Sequence, residues 1–142
     1  MIYIASDHGG FYHKQFLLQH LPKSIDLGCF SPDSVDYPLI ADQLCQKITD
    51  NDIGIILCGT GIGVSIQCNR YNHIRCGLCH DNYTAQMAKE HNNANVIALG
   101  ARVLTAEDCL AIIQTFLHTD ASNEPRHVRR RQLLSNCDNK SN

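Results

Sequence analysis

Long apolar runs are absent from this sequence. No stretch approaches the ~20 consecutive apolar residues of a bilayer-spanning helix, so no membrane partner is predicted. The first residues lack the basic and apolar segments of an export signal, and a cytoplasmic location is expected. In that reducing compartment the 8 cysteines are predicted to be free thiols, with Cys45, Cys68 and Cys109 acting as small apolar residues of helices.

A strong excess of one charge is also missing. The formal net charge of −2 argues against a general nucleic-acid binder, although the segment 126–131 is locally basic. Arg126, Arg129 and Arg130 fall along one face of the predicted final helix, and Arg126-His127 is followed by Arg130 one turn later. On physical grounds alone, a solvated helix face and a phosphate-gripping site remain equally good interpretations of this cluster.

Repeats, low-complexity segments and internal domain boundaries are absent as well. The length of 142 residues suits one domain with a real core. We predict a single domain over residues 1–137 and a disordered tail over 138–142.

The sequence does contain a regular alternation of short apolar runs and longer amphipathic segments. This alternation predicts an α/β fold with a five-stranded parallel sheet, helices on both faces, and a further C-terminal helix that begins at Pro125. The predicted strands are 2–5, 24–27, 53–57, 74–78 and 95–99, and the predicted helices between and after them are 9–21, 37–50, 62–71, 81–91 and 105–118.

Cys58 is the most informative residue, because it ends an apolar run and is followed by Gly59-Thr60-Gly61-Ile62-Gly63. This order places a thiol at a strand's carboxyl end, beside a glycine-rich turn whose amides are expected to face outward and to bind anions. The same amides favour the thiolate form of the cysteine. A dinucleotide site needs such glycines after the first strand, whereas here they follow the third, so NAD is disfavoured.

Other polar residues are expected at the same edge of the sheet, where ligands of open parallel sheets bind. Asp7 and His8 follow the first strand, with a simple helix-capping turn as the alternative interpretation. His91 and Asn92 precede the fifth strand, so topology alone places them at the opposite edge. His13, His20 and His118 fall on predicted helices and are interpreted as surface residues without an identifiable partner, and His73 is equally uninformative.

The segment from Cys76 to His80 formally matches a haem-attachment pattern and has the two-cysteine spacing of zinc sites. On a strand, however, Cys76 and Cys79 project to opposite faces and cannot easily bind one ion. We therefore predict no metal and no cofactor.

Taken in order, the motifs resemble the ribose-5-phosphate isomerase B family, which also includes galactose-6-phosphate isomerase subunits. The motifs are Ile4-Ala-Ser-Asp7-His8-Gly-Gly, Asp36-Tyr37-Pro38, Cys58 to Gly63 with Ser65 and Asn69, Cys79-His-Asp-Asn-Tyr-Thr-Ala, Glu90-His91-Asn92 with Asn95, Gly100-Ala-Arg102-Val, and Arg126-His-x-x-Arg130.

This resemblance implies a Rossmann-like three-layer fold and a metal-free aldose–ketose isomerase in a dimer or a dimer of dimers with shared active sites. Its substrate would be a phosphorylated sugar, and ribose 5-phosphate is the favoured one. By the same resemblance Cys58 is the base that moves a proton between C2 and C1, His91 opens the sugar ring, and Thr60 joins them in catalysis. The implied substrate-binding residues are Asp7, His8, Gly59, Gly61, Ile62, Gly63, Asn92, Arg102, Arg126 and Arg130.

One subgroup of that family has a glutamate base just past the glycine loop, where this chain has Val64, so the chain resembles the cysteine subtype. Two alternatives stay open: a hexose-6-phosphate isomerase and a non-catalytic sugar-phosphate or nucleotide-binding module. The depth of the pocket distinguishes a hexose-6-phosphate isomerase from a pentose enzyme. The thiol base argues against a non-catalytic module, which needs no such group.

Overall fold

A computed structural model describes residues 1–134 of the chain. Its strands are β1 (Ile2–Ser6), β2 (Ile25–Asp26), β3 (Ile53–Cys58), β4 (Cys76–Leu78) and β5 (Val96–Gly100). Its helices are α1 (Phe11–His20), α2 (Tyr37–Lys47), α3 (Ile62–Cys68), α4 (Asn82–Glu90), α5 (Ala106–Leu117) and α6 (Pro125–Leu134), with a 3₁₀ turn (His8–Gly10) before α1. The predicted tail, 138–142, and the end of the predicted domain at Cys137 lie outside the described residues.

All five predicted strands and all six predicted helices are present, so the α/β assignment is confirmed. Among the strands the largest boundary difference is at β4, which begins at Cys76 and not at residue 74, and α2 and α3 each end three residues earlier than predicted. The side chain of buried Asn95 accepts a hydrogen bond from the Arg75 amide (2.7 Å) and donates one to the His73 carbonyl (2.8 Å). Side-chain bonds therefore replace part of the strand ladder just before Cys76.

The sheet is parallel throughout, in the order β2-β1-β3-β5-β4. From β1 the chain first winds to β2 on one side and then crosses to β3 on the other, so the winding direction changes between β1 and β3. Ser6 of β1 is in register with Leu57 of β3. The carboxyl ends of these two strands thus form the switch point at which ligands of such sheets bind.

Two apolar layers cover the sheet, and strand residues alternate between them. On one face Ile56 and Cys58 pack with the buried side chains of α2 and α3. On the other face Ile55 and Leu57 pack with those of α1, α4 and α5. Asp81 caps α4 and Thr105 caps α5 through hydrogen bonds to amides of the first turn. In residues 1–134 no helix is long and apolar enough to cross a membrane.

Candidate active site

Cys58 is the last residue of β3 and is only 5% exposed. The Gly61 amide donates a hydrogen bond to its Sγ, with N and S 3.2 Å apart. Gly61 has a left-handed backbone conformation (φ +78°), which turns the chain back toward the sulfur. An N–H donor so placed stabilises negative charge on Sγ, as a thiol base requires.

The glycine loop rests on the end of β5. Ala101 and Arg102 donate backbone hydrogen bonds to the carbonyls of Cys58 and Gly59, both at 2.9 Å. The Ile62 amide donates to Thr60 Oγ1 at 3.2 Å. The amides of Gly61 and Ile62 are thus used within the loop, so the expectation that the loop's amides all face outward does not hold for these two.

Replacing Gly100 with alanine is expected to displace this loop and to lower kcat at least about tenfold, because misplacing catalytic groups by 1 Å can cost about 100-fold. A Cβ on Gly100 would lie 2.7 Å from the carbonyl carbon and oxygen of Thr60, and backbone cannot yield as a flexible side chain does. Steady-state kinetics and thermal melting check this. Gln114→Ala, at an exposed residue of α5 away from this loop, is the control and should retain activity. Full activity of folded Gly100→Ala would mean that the loop position is not critical.

Asp7 and His8 follow β1 and lie beside Cys58 at the switch point. Asp7 is buried, and its Oδ1 accepts hydrogen bonds from the amides of Gly9 (2.9 Å) and Gly10 (3.2 Å). Asp7 therefore does cap the turn that precedes α1, as the alternative interpretation of this residue predicts. The Val35 amide donates to His8 Nδ1 at 3.2 Å, which leaves Nε2 to carry the proton of the neutral ring.

Arg102 and Tyr37 flank the loop on two sides. A Cβ on Gly59 would lie 3.1–3.2 Å from the Arg102 guanidinium, so that side chain covers Gly59. A Cβ on Gly63 would lie 2.8 Å from the Tyr37 hydroxyl oxygen. Tyr37 was not among the predicted site residues, although Asp36-Tyr37-Pro38 was among the motifs that carried the resemblance.

The remaining predicted site residues form a second group, built around the end of α4 and the start of α6. The His91 ring stacks on that of His127, with centroids 4.1 Å apart and planes 11° apart. Arg131 Nη1 donates to the His91 carbonyl at 3.2 Å. Arg126 Nε pairs with Glu124 at 3.0 Å on the surface, and Asn92 and Arg130 are exposed.

Burial lowers the pKa of His127, and the nearby His91 and Arg126 lower it further. A neutral His127 adds no positive charge next to His91.

The two groups lie at opposite edges of the sheet. The helix α4 starts after the carboxyl end of β4 and runs back, so that His91 at its end lies before β5 begins. This confirms the topological expectation for His91. Within one chain the structure brings together Asp7, His8, Cys58, the loop 59–63 and Arg102, and it does not bring His91, Asn92, Arg126 or Arg130 to them.

Cys76 packs toward the α2 and α3 face, whereas Cys79 belongs to the opposite apolar layer, as predicted. Burial raises the pKa of the Cys79 thiol to about 11 and that of Cys109 to about 12, which suits inert core thiols. Within residues 1–134 no three His, Cys, Asp or Glu side chains are grouped to hold a metal ion.

Each of the other histidines, for which the sequence offered no identifiable partner, bonds to a backbone carbonyl, and His20 and His118 are exposed as predicted. The side chain of partly buried His13 hydrogen-bonds through Nε2 to the Leu104 carbonyl at 2.8 Å. His20 and His118 bond to carbonyls four residues earlier, and His73 bonds to the Cys45 carbonyl. The contacts of His13 and His73 join segments distant in sequence, which local patterns cannot reveal.

Residues 2–134 match the family model described as Ribose/Galactose Isomerase. The chain is 41% identical over 141 residues to a ribose-5-phosphate isomerase B of Mycolicibacterium paratuberculosis, covering 94% of this chain and 89% of that protein. It is 33% identical over 147 residues to a ribose-5-phosphate isomerase B of Escherichia coli, covering 99% and 98%. The chain belongs to the ribose/galactose isomerase family.

Solved structures agree with this assignment. A ribose-5-phosphate isomerase B of Clostridium thermocellum superimposes with a TM-score of 0.91 at 36% identity, over 97% of both chains. A ribose 5-phosphate isomerase of Thermotoga maritima does so with a TM-score of 0.87 at 42% identity, over 94% of this chain and 96% of that one. The predicted Rossmann-like fold is confirmed.

Proposed function

We propose that this chain is a ribose-5-phosphate isomerase, which interconverts D-ribose 5-phosphate and D-ribulose 5-phosphate in the pentose phosphate pathway. Among the structural observations, the one that carries the proposal is the position of Cys58 Sγ: at the switch point, 3.2 Å from the Gly61 amide and beside Asp7 and His8. The names of the similar proteins supply the substrate.

The chemistry is a proton transfer through an enediolate. After ring opening, Cys58 removes the proton from C2 of the aldose, next to the C1 carbonyl, and the resulting negative charge lies chiefly on the C1 oxygen. The same group returns a proton to C1, and transfer of the hydroxyl proton from O2 to O1 leaves the ketose. Amides of the glycine loop stabilise the negative oxygen without reorganising during the reaction.

The second group of residues completes this site only if it comes from another copy of the chain. His91 would then open the sugar ring, and Arg126 and Arg130 would hold the phosphate by charge-assisted bonds. Exposed apolar side chains around the glycine loop support such an interface: Ile62 (51%), Ile66 (54%), Leu78 (40%) and Val103 (64%). We therefore propose a homodimer, or a dimer of dimers, with active sites shared between subunits in the cytoplasm.

Chelators are expected to leave activity unchanged. The amide loop and the arginines already supply charge stabilisation, and the described residues offer no metal-ligand group. Initial rates before and after dialysis against EDTA check this, with a zinc-dependent hydrolase as the positive control. Loss of activity that one divalent ion restores would contradict the metal-free mechanism.

A panel of five- and six-carbon aldose phosphates tests the proposal itself. Turnover of ribose 5-phosphate, with much lower kcat/KM for allose and galactose 6-phosphates, is expected. Preference for a six-carbon substrate would favour the hexose alternative. Tight binding of all these ligands without turnover would favour a non-catalytic module.

A further inference from the structure

Three thiols that the proposed reaction does not use meet beside the outer strand β4. Cys45 of α2 and Cys68 of α3 are fully buried in the apolar layer on that face, and Cys76 of β4 packs partly buried against the same layer. Cys45 Sγ lies 4.0 Å from the Cys68 carbonyl oxygen, so α2 and α3 meet at these two cysteines.

The side chain of Asn69 fixes Cys68 and Cys76 next to each other. Its Oδ1 accepts from the Cys76 amide at 2.8 Å, and its Nδ2 donates to the Cys76 carbonyl at 3.0 Å. Asn69, the residue after Cys68, thereby bonds to both the amide and the carbonyl of Cys76. A disulfide forms only where the two backbones are close, and these bonds hold them close.

The two thiols differ in access to solvent. Cys76 lines a cavity of about 370 Å³ that is open to solvent, together with Asn69, Asn92 and Leu134. Cys68 lies beneath it and has no exposed surface. A small oxidant in the cavity therefore reaches Cys76 first, and Cys68 is in place to react with the product.

We propose that Cys76 and Cys68 form a peroxide-responsive thiol pair, with Cys76 as the attacked and Cys68 as the resolving residue. Cys76 sulfur attacks one oxygen of hydrogen peroxide, which breaks the O–O bond and gives Cys76 sulfenic acid and water. Cys68 sulfur then attacks the sulfenic sulfur. The hydroxyl leaves with the Cys68 thiol proton as a second water, and a disulfide remains. The inference does not depend on the proposed isomerase function, because Cys58 takes no part in it.

Peroxide treatment of the full chain followed by mass spectrometry tests the pair. Trypsin releases residues 48–70 and 76–89 as separate peptides, and the expected product joins them through Cys68 and Cys76. Fragment ions must locate the bond, because these peptides also contain Cys58 and Cys79. Loss of iodoacetamide labelling at both residues, measured after denaturation because Cys68 is buried in the folded protein, is expected, and dithiothreitol should reverse it.

Cys76→Ser should abolish the cross-link, whereas Cys79→Ser, a matched change three residues away on the other face, should retain it. Cys68→Ala should leave an unresolved sulfenic acid on Cys76 that dimedone captures, with circular dichroism confirming that each variant folds. A disulfide at other cysteines, including Cys45 with Cys68, would overturn the proposal. So would oxidation of folded wild-type protein without any cross-link, or a Cys68→Ala variant that dimedone does not label.

Discussion

Cys58→Ala is expected to abolish turnover while substrate still binds. General acid–base groups typically contribute ~10²–10⁴-fold to rate, and this change removes the proposed base without touching Arg126 and Arg130, which we propose hold the phosphate. Because the thiol is only 5% exposed and alanine is slightly smaller, the fold should persist. The measurement is kcat by a coupled assay, together with the dissociation constant of ribose 5-phosphate by calorimetry.

Cys109→Ala makes the same chemical change at a buried thiol of the opposite layer and serves as the control. It should leave kcat near the wild-type value. A Cys58→Ala enzyme with wild-type kcat would rule out the thiol as the base. Iodoacetamide should also inactivate the enzyme with protection by substrate, and this is best done in a Cys76→Ser background because the accessible Cys76 would also be alkylated.

Two inactive variants, Cys58→Ala and Arg130→Ala, are expected to restore activity when co-expressed. Cys58 and Arg130 lie at opposite edges of one chain's sheet, so a two-fold dimer would pair each cysteine with the partner's arginine. A mixed dimer then has one site with both residues intact. With random mixing about half of the dimers are mixed and each has one working site of two, so about a quarter of wild-type activity is expected.

Co-expression of Cys58→Ala with Arg102→Ala is the matched control. Both residues lie at the same edge of the same chain, so every site of that mixed dimer carries one defect and no rescue is expected. Differently tagged chains isolate the mixed dimers. Inactive mixed dimers of the first pair would place Cys58 and Arg130 in one chain's site and reject the shared arrangement.

The sequence was sufficient for the fold and for the half of the site around Cys58. Strand and helix periods are local, and the Cys58-to-Gly63 segment combines a strand end, a turn and a helix start within 6 residues. Contacts between segments that are distant along the chain could not be predicted from the sequence. The stacking of His91 on His127 joins two helices separated by β5 and α5, and Tyr37 reaches Gly63 from another helix.

The start of β4 was misplaced for the same reason. Residues 74 and 75 have the composition of a strand, but the side chain of Asn95, 20 residues later, bonds to the backbone at His73 and Arg75. A side chain that substitutes for a strand partner leaves no periodic signal in the sequence.

The bonds from Asn69 to Cys76 also bear on whether this edge of the sheet can pair with another molecule. An outer strand with free amides and carbonyls invites the same strand of another molecule to pair with it, and sheets extended in this way aggregate. Along β4 the Cys79 amide bonds inward to β5, so by alternation Cys76 and Leu78 direct their polar groups outward. Asn69 already bonds to both the amide and the carbonyl of Cys76. In this three-residue strand only Leu78 therefore has outward backbone groups that a strand of another molecule could bond to. One residue is too short a stretch for a further strand to pair with.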